Sequence, residues 1–171
     1  MPLATKDPDH PVSENAPVVI RQPSVEDGAH MWRMARDSQV LDVNASYAYV
    51  LWARDFASTT VLATVDGEPA GFVTGYLRPE DPKTLMVWQV AVDEQHRGRG
   101  LAGKMLHELT DQVAPLRLET TITPDNEASI ALFTKFAETR DADLEREPVF
   151  DASVFPDGHD TELLFRISPL S

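Results

Sequence analysis

Residues 85–102 constrain this chain more than any other stretch. A mostly apolar run at 85–92 gives way to Gln95-His96-Arg97-Gly98-Arg99-Gly100-Leu101-Ala102, and then to Gly103-Lys104-Met105-Leu106-His107-Glu108-Leu109 at helical spacing. The pattern predicts a strand, a glycine-rich loop and a helix N-terminus in direct succession. At such a terminus the first backbone N–H groups have no intrahelical partner, and the helix dipole favours negative charge. Glycines let the main chain approach a ligand closely and take up positive φ. A pyrophosphate suits a loop of this kind.

Composition narrows the class. At 171 residues the chain is long enough for one domain with a sizeable core, expected over 18–171. Residues 1–17 hold four prolines and no periodicity, and are expected to be a disordered tail. The absence of cysteine excludes disulfides, thiolate metal sites and a cysteine nucleophile, and no metal is expected. No run approaches the ~18 apolar residues of a membrane span and the N-terminus has no apolar signal region, so a cytoplasmic protein without membrane contact is expected. The balance of 15 Lys and Arg against 28 Asp and Glu gives a net charge of -13. That field repels phosphate backbones, argues against nucleic-acid binding and attracts a cationic substrate; it also serves plain solubility.

Residues 18–21 predict a short strand. Ser24 and Asp27 have capping-box spacing and predict a helix to about residue 37, with Trp32, Met34 and Ala35 on or near its buried face. Residues 42–47 have loop chemistry and 49–56 helical spacing. Asp66-Gly67 between the β-rich runs 59–65 and 70–77 predicts a hairpin. After a break at 78–83 come a long strand at 84–92, a helix over 102–113, a strand at 116–121 and a helix over 126–137 capped around Pro124-Asp125-Asn126. Residues 141–160 read as irregular, and 161–167 as a final strand. A meander followed by a crossover implies a mixed sheet with helices packed on it.

Several nucleotide-binding motifs compete for the loop. Gly98-Arg99-Gly100-Leu101-Ala102-Gly103 fits G-x-G-x-x-G, but follows a meander instead of opening a βαβ unit. The acidic residue that motif needs about 20 positions later would be Glu119, inside the next strand. A Walker loop fits as far as Lys104, where Met105 replaces the required hydroxyl. The stretch Val90-Ala91-Val92-Asp93-Glu94-Gln95-His96-Arg97-Gly98-Arg99-Gly100-Leu101-Ala102 instead resembles the strand and acyl-CoA loop of the GNAT superfamily of acetyl-CoA-dependent N-acetyltransferases. Arg97, Gly100 and Ala102 fill that family's Q/R-x-x-G-x-G/A pattern. Asn126-Glu127-Ala128-Ser129-Ile130-Ala131-Leu132-Phe133 resembles its downstream cofactor-contacting helix.

The resemblance covers residues 18–167. It implies an α/β (α+β) fold with a mixed, mostly antiparallel central sheet flanked by helices, acetyl-CoA as co-substrate, and a homodimer, as in many relatives. It assigns cofactor contacts to Val90, Ala91, Val92, Arg97, Gly98, Arg99, Gly100, Leu101, Ala102, Asn126, Ser129 and Phe133. Physical chemistry agrees: N–H groups over 97–102 suit the pyrophosphate, and the exposed edge of 88–92 can pair with the amide-bearing pantetheine arm. An N–H at 90–92 can polarise the thioester carbonyl. Arg97 and Arg99 fit as phosphate neighbours and also as a solvated turn. One position departs: the family often carries Tyr where this chain has Phe133, which has no proton to give a leaving thiolate.

A narrower resemblance lies in Asp42-Val43-Asn44-Ala45-Ser46-Tyr47-Ala48-Tyr49, in Val87-Trp88-Gln89-Val90-Ala91-Val92 and in His159-Asp160-Thr161-Glu162. These segments are similar to those of family members that acetylate the 4-amino group of L-2,4-diaminobutyrate on the route to ectoine. It implies that Asp42, Asn44, Ser46, Tyr47, Trp88, His159 and Glu162 line the site of a small diamino acid. The chemistry is consistent: two ammonium groups need acidic partners, for which Asp42 and Glu162 are candidates. The carboxylate needs donors such as Asn44, Ser46 or Tyr47. Trp88 can supply a wall or a cation–π face. Glu162 or His159, or a water chain, takes the proton of the attacking amine. Asp42, Asn44 and Ser46 equally suit turn and cap roles, Trp88 sheet core, and His159 and Glu162 a solvated surface. The alternatives are acetylation of a polyamine, a protein N-terminus or an antibiotic amine, and a non-catalytic acyl-CoA sensor.

Overall fold

A computed structural model of the protein describes Ser13 and residues 15–171. Most of the expected tail, residues 1–12 and 14, lies outside the described residues. Among the described residues seven strands form one sheet: β1 Val18–Arg21, β2 Val61–Val65, β3 Glu68–Arg78, β4 Asp81–Val92, β5 Arg117–Ile122, β6 Asp143–Phe150 and β7 Glu162–Ser168. Their spatial order is β1-β2-β3-β4-β5-β7-β6. Every neighbouring pair is antiparallel except β4 with β5. Four α-helices among the described residues pack on it: α1 Gly28–Asp37, α2 Ser46–Asp55, α3 Leu101–Val113 and α4 Glu127–Thr139.

The layers follow from alternation along the strands. Val61, Ala63, Leu85, Val87, Leu118, Phe165 and Ile167 face α3 and α4, joining Met105, Leu106, Leu109, Phe133 and Phe136 in the main core. Leu62, Phe72 and Ala91 face the other way, against Met31, Met34, Ala35, Tyr49 and Ala53 of α1 and α2. Side chains on a pleated strand point alternately to opposite faces, so each strand contributes to both layers. Fully burying such side chains stabilises by about 1.5–3 kcal/mol each.

The expected cap and hairpin form as the sequence predicts. Ser24 N–H donates to Asp27 Oδ2 at 2.7 Å, and Arg21 Nη1 donates to the same oxygen at 2.7 Å. Asp66 and Gly67 take φ of 52° and 78°, the double positive-φ turn of a tight hairpin.

Three expectations need correction. Residues 141–160 are not irregular throughout, because β6 pairs with β7 from Asp143 to Phe150. It is an exposed edge strand, charged at half of its positions and interrupted by Pro148, so it lacks the apolar alternation that marks strands in sequence. The break at 78–83 shrinks to a turn at Pro79-Glu80, since Arg78 already faces Asp81 across the ladder. The loop at 42–47 ends early, as α2 takes in Ser46 and Tyr47.

Candidate active site

The site is organised by one irregularity in β4. Opposite β3, Thr74 pairs with Gln89 and Gly75 with Val87, so Trp88 is an extra residue: a β-bulge. The bulge reverses the strand's phase. Leu85 and Val87 face the α3/α4 layer before it, whereas Val90 and Val92 face that layer after it. Gln89 and Ala91 are thereby turned toward α1 and α2, and Trp88 lies against Trp52 of α2, ring centroids 4.8 Å apart.

The bulge also ends pairing on the other edge. The parallel ladder with β5 stops at Val87 opposite Thr120, while β4 continues to Val92 and β5 to Ile122. Which groups line this gap follows from the alternation of antiparallel bonding. Asp93 N–H donates to Ala70 O and Gln89 N–H to Thr74 Oγ1, both toward β3. The N–H and C=O groups of Val90 and Val92 therefore point into the gap. Arg97 Nε donates to Val92 O from that side at 3.3 Å.

The gap leads to the glycine loop. Gly98 and Gly100 have φ of 79° and 70°, and Gly100 is the N-cap of α3. The first helical N–H to find a carbonyl is that of Lys104, on Gly100 O at 3.1 Å. The N–H groups of Leu101, Ala102 and Gly103 are left to point out of the helix end, as a phosphate seat requires. A cavity of about 420 Å³ opens beside the loop, walled by Arg97, Gly98, Arg99, Leu101 and Lys104 together with Val18 and Val65. Backbone donors, cations and an open strand edge thus fit an elongated molecule that ends in phosphates.

Further along the chain, Asn126 caps α4 by accepting from Ser129 N–H at 3.2 Å. Asn126 is exposed and Ser129 half-buried. Phe133 is 2% exposed and belongs to the main core beside Phe136. Its ring sits on the inner face of α4, where helical periodicity puts an apolar residue three before Phe136.

On the α1/α2 side the structure brings Asp42 to His159 and Glu162, which are more than a hundred positions further along the chain. His159 Nε2 lies 3.2 Å from Asp42 Oδ2 and 3.5 Å from Glu162 Oε1. His159 Nδ1 is 2.7 Å from Asp160 O, so this nitrogen carries a proton and donates. Phe155 packs on the imidazole with centroids 4.4 Å apart. The Asp160 carbonyl, and then the carboxylates of Asp42 and Glu162, raise the His159 pKa above its usual value. Burial raises Glu162 above the ordinary carboxylate range, against the pull of His159 and the nearby Thr121 hydroxyl. Glu162 Oε2 is buried without a partner among the described residues. A carboxylate so placed is a competent proton acceptor.

The remaining expected residues are less tightly joined. Asn44 is half-buried just before α2, while Ser46 and Tyr47 lie in its first turn with exposed side chains. Among the described residues, the partners of His159 are Asp42, Glu162 and Asp160, not these three. Trp88 is half-exposed, its ring against Trp52. Trp52 is a residue that sequence reasoning missed, and so is Gln89, which links Tyr49 to Asp42. The signal was present in the phase change from Leu85 and Val87 to Val90 and Val92.

The family described as "Acetyltransferase (GNAT) family" matches residues 28–137. An L-2,4-diaminobutyric acid acetyltransferase of Streptomyces coelicolor is 59% identical over 162 residues, covering 91% of this chain and 95% of that protein. The enzyme of that description from Halomonas elongata is 40% identical over 160 residues, covering 91% and 83%. Among solved structures, diaminobutyrate acetyltransferase EctA of Paenibacillus lautus, in complex with L-2,4-diaminobutyric acid and coenzyme A, superposes with a TM-score of 0.86. It is 39% identical, with 91% of this chain and 96% of that one covered.

Proposed function

This chain belongs to the acetyltransferase (GNAT) family, and from that premise we propose that it transfers the acetyl group of acetyl-CoA to the 4-amino group of L-2,4-diaminobutyrate. The product, N4-acetyl-L-2,4-diaminobutyrate, serves ectoine biosynthesis. The observation that carries this reading is the continuity of the site along β4. The open edge at Val90 and Val92 runs to the phosphate seat at one end, and at the other Gln89 is bonded to Asp42 of the Asp42–His159–Glu162 group.

In this reading residues 18–171 act as one catalytic domain. Val90 and Val92 pair with the pantetheine arm, and the Val90 N–H, aimed into the gap, polarises the thioester carbonyl. Ala91 keeps that edge in place by packing on the α1/α2 layer. The N–H groups and cations over 97–102 bind the pyrophosphate, with Asn126 and Ser129 flanking it. Acetyl-CoA supplies the activated acetyl group; the amine nitrogen forms the new C–N bond as the C–S bond breaks, and CoA leaves as its thiolate, which takes a proton from water.

The distal ammonium must lose a proton before it attacks. Glu162 takes it and gives it up to solvent, while protonated His159, set between Glu162 and Asp42, keeps the carboxylate ionised to do so. Intrinsic basicity favours reaction at the α-amine, whose pKa near 8 is lower than the ~10 of an alkylamine. The 4-amino selectivity therefore comes from position. Asp42 holds the α-ammonium, and Asn44, Ser46 and Tyr47 hold the carboxylate away from the thioester beside the wall of Trp88. No helix among the described residues is long and apolar enough to cross a membrane. A cytoplasmic homodimer completes the proposal, supported by exposed Phe150 and Val154 near the acceptor side.

The test is release of CoA thiol with diaminobutyrate, ornithine, lysine and spermidine as acceptors. Diaminobutyrate is expected to react fastest by kcat/KM. Release with spermidine but not with diaminobutyrate would overturn the substrate.

A further inference from the structure

Gln89 is 4% exposed, yet it is a polar residue on an otherwise apolar stretch of strand. A buried amide needs partners for both ends, and here each end has one. Oε1 accepts from the Tyr49 hydroxyl of α2 at 3.0 Å, and Nε2 donates to the Asp42 backbone carbonyl at 2.9 Å. Its own backbone N–H donates to Thr74 Oγ1 at 3.0 Å. The two side-chain bonds fix the orientation of the amide, because only the nitrogen can donate to a carbonyl and the phenol supplies the proton for the oxygen.

The Asp42 side chain is 88% exposed, so packing does not hold it. What fixes it is the carboxylate's contact with His159 on one side and the Gln89 bond to its backbone on the other. Gln89 reaches Asp42 only because the bulge at Trp88 has turned it onto the α1/α2 face. The residue that follows the bulge therefore links the acyl-binding strand to the acceptor loop.

We propose that Gln89 is a positioning residue for the amine acceptor: its side-chain amide fixes the Asp42 loop against β4, setting the Asp42 carboxylate on His159. This assignment deepens the reading of the site given above and rests on it for the identity of the acceptor. Gln89 touches neither substrate; it acts through Asp42. Its loss weakens acceptor binding while leaving the phosphate seat intact.

The test uses two variants. Gln89→Glu retains an acceptor for Tyr49 but sets carboxylate oxygen against the Asp42 carbonyl, and Gln89→Met removes both bonds at similar volume. For either variant that folds, KM for diaminobutyrate is expected to rise roughly tenfold, with KM for acetyl-CoA within about twofold of wild type. The His159 titration midpoint, followed by NMR in the free protein, is expected to fall as the Asp42 charge moves away. A lowered melting temperature with neither KM for diaminobutyrate nor the His159 midpoint changed would overturn the proposal and reduce Gln89 to core packing. Wild-type protein inert toward diaminobutyrate would overturn the substrate instead, while the His159 midpoint would still decide the role of Gln89.

Discussion

The phosphate seat at 97–103 and the acidic group around His159 adjoin the same strand, yet they are made of different material. The seat is main chain: two glycines at positive φ, a helix N-terminus and an unpaired strand edge, contiguous in sequence. The acceptor side is side chain: Asp42 from a loop, Trp88 and Gln89 from β4, His159 and Glu162 from the approach to β7. A cofactor with phosphates and amides can be bound by groups that every residue carries. Choosing one amine over another requires charges at set distances, which only side chains supply.

If that division holds, each half can be damaged without the other. The largest effect is expected for Glu162→Gln, which removes the proton acceptor and lowers kcat by about 10²–10⁴-fold, with KM for acetyl-CoA unchanged. A matching rise in KM for acetyl-CoA in steady-state kinetics would mean that the halves are not separable. Gly100→Val attacks the other half. A Cβ there meets nothing within 4 Å, so the cost is backbone strain at φ +70° and not a clash. KM for acetyl-CoA is expected to rise about 10- to 100-fold, following a strain of ~1–3 kcal/mol, with KM for diaminobutyrate unaffected.

His159→Asn sharpens the electrostatics of the acceptor side. Burial raises Glu162 and the imidazole opposes that rise. Removing the positive partner raises the Glu162 pKa further, so the carboxylate stays protonated to higher pH. The acid limb of kcat/KM against pH is therefore expected to move upward; a downward shift would exclude Glu162 as the proton acceptor.

The smallest effect is expected from a residue outside both halves. Asp27→Ala breaks the cap before α1 and should lower stability by about 1–2 kcal/mol in thermal unfolding at pH 7 without changing either KM. Burial works to raise the Asp27 pKa, but bonds from Arg21 and Ser24 prevail and hold it below the usual value. Its contribution is present above the unfolded carboxylate pKa and is lost as pH falls through the lower folded one. The melting-temperature gap between variant and wild type should accordingly close in acid.

Legibility in the sequence followed the same division. The strand–loop–helix and the Asp66-Gly67 hairpin were readable because turn chemistry and periodicity are local properties. β6 was not, because a charged edge strand containing Pro148 is a strand by virtue of its pairing with β7 and not by its own composition. The depth of Phe133 was not legible for a related reason: its motif marks it as a cofactor contact, and only the packing of α4 shows that the ring is also part of the main core. Asp42, His159 and Glu162 could be named from the sequence, but their contact could not.

The sequence by itself determined where a strand ends in an open helix N-terminus, since glycine freedom and a helix end are encoded in consecutive residues. Only the tertiary structure decided which side chains gather at the acceptor site. One extra residue at Trp88 reverses the facing of β4, sends Gln89 to the Asp42 loop and opens the strand edge. A phase reversal acts through every later residue of the strand and through the layers packed on it, so its consequence appears only when the sheet is assembled.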